Sequence, residues 1–366
     1  MSGAMSAGNT AEHRDVLIVG AGQAGLGTAY WLTRRTDLNV QVLHAAAKPG
    51  SSWASRWDSL ELFTPRRFSG LPGLRFPAGA RDCPSKDEMS AYLNRYAARS
   101  ALPVVTGRSV RSLRVTTSGF EAATDAGSVT ADQVVVATGP YDRPHIPAAA
   151  ADLASTVQQL HSSRYCRPTD IPSGSVHVIG GGNSAAQLAC ELAGTHDVTV
   201  VSSRPPWFLP KTIAGVSLYW WLYATGTLNA QADTAVSRLV RGRGDPIIGK
   251  ELQQRVAAGD IRLLPQRVTG ARDERLQLGD GTSEPVQAVL WCTGFRPDYG
   301  WIDIPGAIDA EGRPIHAGGA SPVAGLHWMG LPWQTRMNSG IIDGVDRDAR
   351  AAVERIVEKH KAGDRR

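Results

Sequence analysis

Two short stretches hold residue types at spacings that can do chemistry. In "DVLIVGAGQAGLGTAYWL", Gly20, Gly22 and Gly25 fit G-x-G-x-x-G. In "VHVIGGGNSAAQLACELA", Gly180, Gly182 and Ala185 fit the G-x-G-x-x-A variant. The first glycine permits a tight turn, the second lets backbone approach a pyrophosphate, and the third position lets helix and strand pack closely. Free N–H groups at the start of the following helix then face an anion. The first run follows an apolar strand and opens a helix, a context far more specific than the spacing alone. The plain alternative is a Gly-rich turn that holds no ligand.

An acid at the end of the second strand of such a unit grips a ribose hydroxyl. His44 stands there in the first stretch, and a neutral imidazole can accept that hydrogen bond, though less well than a carboxylate. The second stretch has Ser202, Ser203 and Arg204 at that place and no acid. Hydroxyls and a guanidinium suit a 2′-phosphate, which points to NADPH rather than NADH. The alternative for Arg204 is a solvated surface charge. Two such cradles imply two dinucleotides at once, a resident FAD and a visiting NADPH that hands it hydride.

The elements that position these loops can be read around them. Val16–Val19 reads as a buried strand, followed by a helix over about 24–33 and a strand at Val40–Leu43, which makes a βαβ unit. Residues 45–85 are irregular and long for a plain connection. A helix is predicted over Met89–Arg99. Gln133–Pro140 reads as a strand ending in Thr-Gly, and Ala288–Asp298 repeats that pattern after the second glycine run. The second unit has its helix over about 183–193 and its second strand at Val198–Val201, and a closing helix spans Ile341–Lys359. The pattern predicts an α/β fold with two Rossmann-like dinucleotide-binding domains, a two-dinucleotide-binding flavoprotein. Its expected parts are a disordered tail over 1–13, an FAD-binding domain over 14–165, an NADPH-binding domain over 166–296, and the rest of the FAD-binding domain over 297–366.

Composition narrows the classes. A chain of 366 residues with 42% hydrophobic and 20% charged residues reads as soluble and globular. A net charge of +5 without a basic stripe argues against a nucleic-acid partner. The four cysteines are scattered, with no CxxC and no metal-ligand spacing, which fits a reducing, cytoplasmic setting. No apolar run is long enough for a membrane span. A homodimer is the default assembly. Val216–Gly226 packs four aromatics between Tyr219 and Tyr223. It reads as a lid or substrate-channel wall, as core packing, or as a membrane-surface patch. Trp328 and Trp333 line a flavin pocket or pack in a core.

"GAGQAG", "GGGNSAAQ", "ATG", "LHSSRY" and "CTGFRPD", in this order, resemble the flavin-containing (class B) monooxygenases. "SSWASRWDSLELFTPRRFSGLPG" and "SGIIDGVDRDARAAVERI" are similar to a bacterial branch close to the plant auxin-forming flavin monooxygenases. The resemblance implies that Gly20, Gly22, Ala24 and Gly25 hold the FAD pyrophosphate, with Ser52 and Trp53 beside the flavin. It gives Val110 the adenine, and Thr138 and Gly139 the first turn against FAD. Gly180, Gly182, Asn183, Ser184 and Ala185 would hold NADPH, Ser203 and Arg204 its 2′-phosphate, and Lys211 another phosphate. Thr293 and Gly294 match the second Thr-Gly turn. The backbone of Gly340, Ile341 and Ile342 would face the reduced flavin. His161 and Tyr165 match the family fingerprint, in which Ser155 and Val157 replace Phe and Gly. His161 is the one catalytic candidate, and its alternative is a linker histidine satisfied by backbone contacts. The implied activity uses NADPH, FAD and O2, through a flavin C4a-(hydro)peroxide, to oxygenate a small organic substrate at nitrogen, sulfur or a carbonyl carbon. The competing readings are a flavoprotein NAD(P)H reductase or oxidase passing electrons to a protein, a quinone or O2, and a redox-silent nucleotide-binding module.

Overall fold

The computed structural model describes residues 12–363. The first unit begins with β1 (Glu12–Val19), α1 (Gln23–Arg35) and β2 (Val40–His44). Strand β1 sends Val16 and Ile18 into one apolar cluster and Leu17 and Val19 into another, the alternation of a strand buried on both faces. The tail expected through residue 13 ends sooner: Glu12 and His13 already pair with Val129 and Thr130. Residues 1–11 lie outside the described residues. The irregular stretch that follows contains α2 (Ser51–Ala54) and leads into α3 (Lys86–Arg99). Helix α3 starts three residues earlier than the periodicity suggests because Ser85 and Glu88 form a reciprocal cap. Then come β3 (Val104–Thr106), β4 (Val110–Thr116), β5 (Gly119–Thr124), β6 (Gly127–Val136) and β7 (Arg143–Pro144).

The second unit opens with β8 (Gln158–His161), β9 (Ser175–Ile179), α4 (Asn183–Leu192) and β10 (Asp197–Val201). An arm follows, built from β11 (Phe208–Leu209), β12 (Thr212–Ile213), β13 (Val216–Ser217), α5 (Leu218–Ala224), α6 (Ala235–Arg243) and β14 (Ile247–Ile248). The chain returns through α7 (Glu251–Ala258), β15 (Ile261–Leu264), a small antiparallel sheet of β16 (Val268–Arg272), β17 (Arg275–Leu278) and β18 (Ser283–Pro285), and β19 (Ala288–Trp291). The five-stranded sheet has the order β15-β10-β9-β19-β8 and is parallel throughout. Gln158–His161, assigned by sequence to the first unit, is therefore hydrogen-bonded into the second sheet along β19.

Strand β20 (Phe295–Arg296) carries the chain back to the first unit, where β21 (Ile302–Asp303), β22 (Leu326–Trp328) and α8 (Val345–Gly363) complete it. The large sheet runs β21-β4-β5-β6-β1-β2-β3, with β22 added parallel to β6. Helix α8 begins four residues later than expected, after a single 3-10 turn at Ile342–Gly344. Among the described residues, no helix is long and apolar enough to cross a membrane.

Candidate active site

Each glycine run sits where its strand turns into its helix, and each leans on the Thr-Gly strand of its own unit. Gly20 has φ +110°, and a Cβ there would meet the Ala137 carbonyl oxygen at 2.5 Å. Gly180 has φ +153°, and a Cβ there would meet the Cys292 carbonyl oxygen at 2.3 Å. A Cβ on Gly25 would lie 1.9 Å from the Gly20 carbonyl oxygen, so the helix and turn touch through backbone. Ala185 takes that third position in the second unit and is buried. Gly22 and Gly182 differ from these: a Cβ on either would meet nothing within 4 Å. Both cap their helices without a side-chain hydrogen bond, so the first-turn amides face outward over bare glycine. The residues fit a dinucleotide pyrophosphate in both places. A second sign is that Thr138 Oγ1 is buried with no partner in the protein, a polar atom left for a ligand.

The ribose ends of the two units differ. His44 does end β2, but its ring is committed: Nδ1 accepts from the Ala21 N–H at 3.4 Å and Nε2 donates to the Lys48 carbonyl at 3.0 Å. Burial lowers its pKa, which agrees with a neutral ring. His44 thus stitches strand to turn, and its lone pair points at Ala21 instead of a ribose. The 107–108 loop is hydrogen-bonded to Ala46 and His44, which brings Val110 to the same end. In the second unit, Ser203 and Arg204 are exposed just past β10, while buried Ser202 donates to the Arg204 carbonyl at 2.8 Å. Lys211 is ion-paired with Glu251 at 2.6 Å. The Asn183 amide is used at both ends, donating to the Pro246 carbonyl and accepting from the Ile248 N–H, both at 2.9 Å. Its side chain anchors the arm, and Ser184 beside it is half-buried.

His161 is also a bracket. Its Nε2 donates to the Gly294 carbonyl at 3.0 Å and its Nδ1 accepts from the Ser163 N–H at 3.1 Å. Burial lowers its pKa, and the ring is 3% exposed. With no free nitrogen, the catalytic candidate becomes a residue that fixes the second Thr-Gly turn. The Gly294 carbonyl also accepts from the His145 N–H at 2.9 Å, and Thr293 Oγ1 donates to the His145 carbonyl. Just beyond the two Thr-Gly turns, β7 and β20 pair with each other, so one two-stranded ribbon joins the two cradles.

Beyond Trp53, which the resemblance already sets beside the flavin, the sequence reading missed the side chains that pack at this junction. Trp53 packs against the main cores of both units, and Trp57 is 3% exposed inside the second unit's core. The Arg56 guanidinium lies 4.6 Å from the ring of Phe295 and 5.4 Å from that of Tyr141, two rings that meet edge-on at the ribbon. The only sequence signal was the aromatic and basic content of the long loop. Trp328 does not line a pocket: it is fully buried in the first unit's second core, edge-on to Tyr299. Trp333 is half-buried with the Arg241 guanidinium over its ring. Nor is the aromatic run simple core: Trp220, Trp221 and Tyr223 are exposed and only Tyr219 is buried. All four cysteines are free, and burial pushes the Cys292 thiol up.

The comparisons agree with this geometry. The pyridine nucleotide-disulphide oxidoreductase model matches residues 17–221. A CzcO-like oxidoreductase of Geobacillus kaustophilus is 39% identical over 343 residues, which cover 94% of this chain and 98% of its own. An indole-3-pyruvate monooxygenase of Oryza sativa subsp. japonica is 28% identical over 78% of each chain. A flavin-containing monooxygenase from Stenotrophomonas maltophilia superposes with a TM-score of 0.80 at 28% identity, covering 95% of this chain and 99% of that one. A cyclohexanone monooxygenase shares the fold, with a TM-score of 0.73 at 14% identity. The chain therefore belongs to the pyridine nucleotide-disulphide oxidoreductase family, and within it to the class B flavin monooxygenase type of oxidoreductase, which works with a flavin and a nicotinamide nucleotide.

Proposed function

We propose that the protein is an NADPH- and FAD-dependent monooxygenase that uses O2 to oxygenate a small organic substrate at nitrogen, sulfur or a carbonyl carbon. The observation that carries this reading is the pair of glycine turns, each open over its second glycine and joined by one ribbon. We assign FAD to the first cradle, where Gly20, Gly22, Ala24 and Gly25 form the turn and Val110 lies toward the adenine. Ser52, Trp53, Thr138, Gly139 and the backbone of Gly340, Ile341 and Ile342 surround its ring end. We assign NADPH to the second cradle, with Ser203 and Arg204 on the 2′-phosphate. Bound there, the two groups supply hydride transfer and the activation of O2.

The chain's own task is to orient the two and keep water out. His161 and His145 hold the Thr293–Gly294 turn still. Trp53, wedged between two cores, and Arg56, stacked on the ribbon, pack over the junction. Thr138 Oγ1 offers its unused hydrogen-bonding capacity to the ligand in the first cradle. The named activities of the rice and Stenotrophomonas relatives support oxygen transfer over simple electron transfer.

The test uses purified protein. The flavin absorbance is recorded, then NADPH and NADH oxidation, O2 uptake and H2O2 release are followed with and without amines, sulfides and ketones. The reading expects a yellow protein, preference for NADPH, and a substrate that raises NADPH use while lowering H2O2 per NADPH. A colourless protein that takes up no flavin, or H2O2 output that no substrate changes, refutes it.

A further inference from the structure

The arm of the second unit does not stay on its own sheet. Of the seven residues of α5, only Leu218 and Tyr219 are buried. Trp220 and Tyr223 touch Phe68 of the first unit but remain 41% and 53% exposed. Tyr219, which is 7% exposed and packs its ring on Phe68, is the buried aromatic that ties this short helix to the first unit. Its hydroxyl accepts a long hydrogen bond from Thr64 Oγ1 at 3.4 Å and donates one to Asp343 Oδ1 at 3.5 Å. The other oxygen of Asp343 accepts from Asn338 Nδ2 at 2.9 Å. All of these partners belong to the first unit.

Asp343 sits in the 3-10 turn that leads straight into α8. The start of α8, next to that turn, is pressed against α1: a Cβ on Gly27 would meet Val345 Cγ1 at 2.5 Å. The arm is fastened nearby a second time. The Ala232 N–H donates to the Thr335 carbonyl and the Met337 N–H to the Ala230 carbonyl, both at 3.0 Å. Arg336 and Arg347 both reach Asn229, at 2.6 and 2.7 Å.

We propose that Tyr219 is a positioning residue for the flavin site of the opposite unit: through Asp343 it fixes the turn at Ile342–Gly344, next to the Gly340–Ile342 backbone assigned to the flavin ring. The nicotinamide half thereby sets one wall of the flavin half. This rests on assigning flavin to the first cradle. The aromatic packing would survive loss of the hydroxyl, whereas the positioning would not.

The test compares Tyr219→Phe, Asp343→Asn and the double variant, both as purified and after flavin removal. Amide hydrogen exchange is read by segment. Either single change is expected to speed exchange in residues 341–345 by about twofold to threefold, as loss of one long, weak hydrogen bond would. The double variant adds little, and α4 and β9 stay as they were. In the loaded protein, the flavin absorption band and midpoint potential shift in both single variants. Trp220→Leu, which loosens the exposed packing on Phe68 and Tyr223, moves neither. Unchanged exchange at 341–345 in Tyr219→Phe, a uniform rise across the chain, or a local rise with an unmoved flavin band each overturns the inference. Exchange in stripped protein needs no turnover, so a protein without monooxygenase activity refutes the proposed function while this measurement stays readable.

Discussion

Gly22→Ala is expected to cost binding and spare the fold. Gly22 has φ −77° and ψ −176°, which alanine adopts without strain, and a Cβ there meets nothing within 4 Å. Removing glycine's freedom from the unfolded chain stabilises by about 0.4–1 kcal/mol, and alanine at a helix cap gives part of that back, so the melting temperature stays within about 2 °C. On the ligand side, the new methyl stands between a pyrophosphate and the amides of the first turn. Losing two charge-assisted hydrogen bonds of about 1.5–3 kcal/mol each totals about 3–6 kcal/mol, a fall of at least about 100-fold in affinity. The assay is fluorescence titration of flavin-stripped protein with FAD, beside a thermal melt without ligand. Gly25→Ala is the contrast: its Cβ would fall 1.9 Å from the Gly20 carbonyl oxygen, so the melt itself collapses. Wild-type FAD affinity in Gly22→Ala, with an unaltered melt, would refute the reasoning that the anion lies over this glycine.

Arg204→Ala should raise the KM for NADPH by about 10- to 100-fold and leave NADH unaffected, as loss of a charge-assisted contact to a 2′-phosphate requires; paired steady-state assays check it. Trp57→Ala, which opens a hole in the second unit's core, should destabilise by about 3–5 kcal/mol in a denaturant titration. Burial, with Arg355 and Lys359 nearby, lowers the His327 pKa to about 4. A ring held neutral in the fold contributes its full stability above an unfolded value of ~6.5 and loses it as pH falls toward the folded value. That window is worth roughly 3 kcal/mol, and His327→Gln should flatten the stability profile between pH 6.5 and about 4.

The sequence displays what is local and hides what is made at a distance. The glycine turns, the apolar strands before them and the repeated Thr-Gly ends all announce themselves, because each is a few adjacent residues under one steric demand. Gln158–His161 gives no such signal: two glutamines and a histidine do not read as a strand, and it becomes one only because β19 offers an edge. Lys86, Asp87 and Glu88 were missed at the start of α3 since a cap, not periodicity, sets that boundary. His44 and His161 were legible as residues but not in role, because the Ala21, Lys48 and Gly294 backbone groups that consume their nitrogens are fixed by tertiary structure. The aromatic run at Tyr219 could not be sorted into core, wall or surface from composition, since one ring is buried against the other unit and its neighbours are not.

The path of the loop around Trp57 bears on how the chain matures during synthesis. The large sheet waits for β21, β22 and α8, which leave the ribosome last, whereas the five-stranded sheet is complete once β19 has emerged. By then Trp57 and Leu60 have long been made and are free to enter the later unit's core. The half that is second in sequence is therefore the first to have all its strands available, and the loop from its neighbour that completes its core is already made.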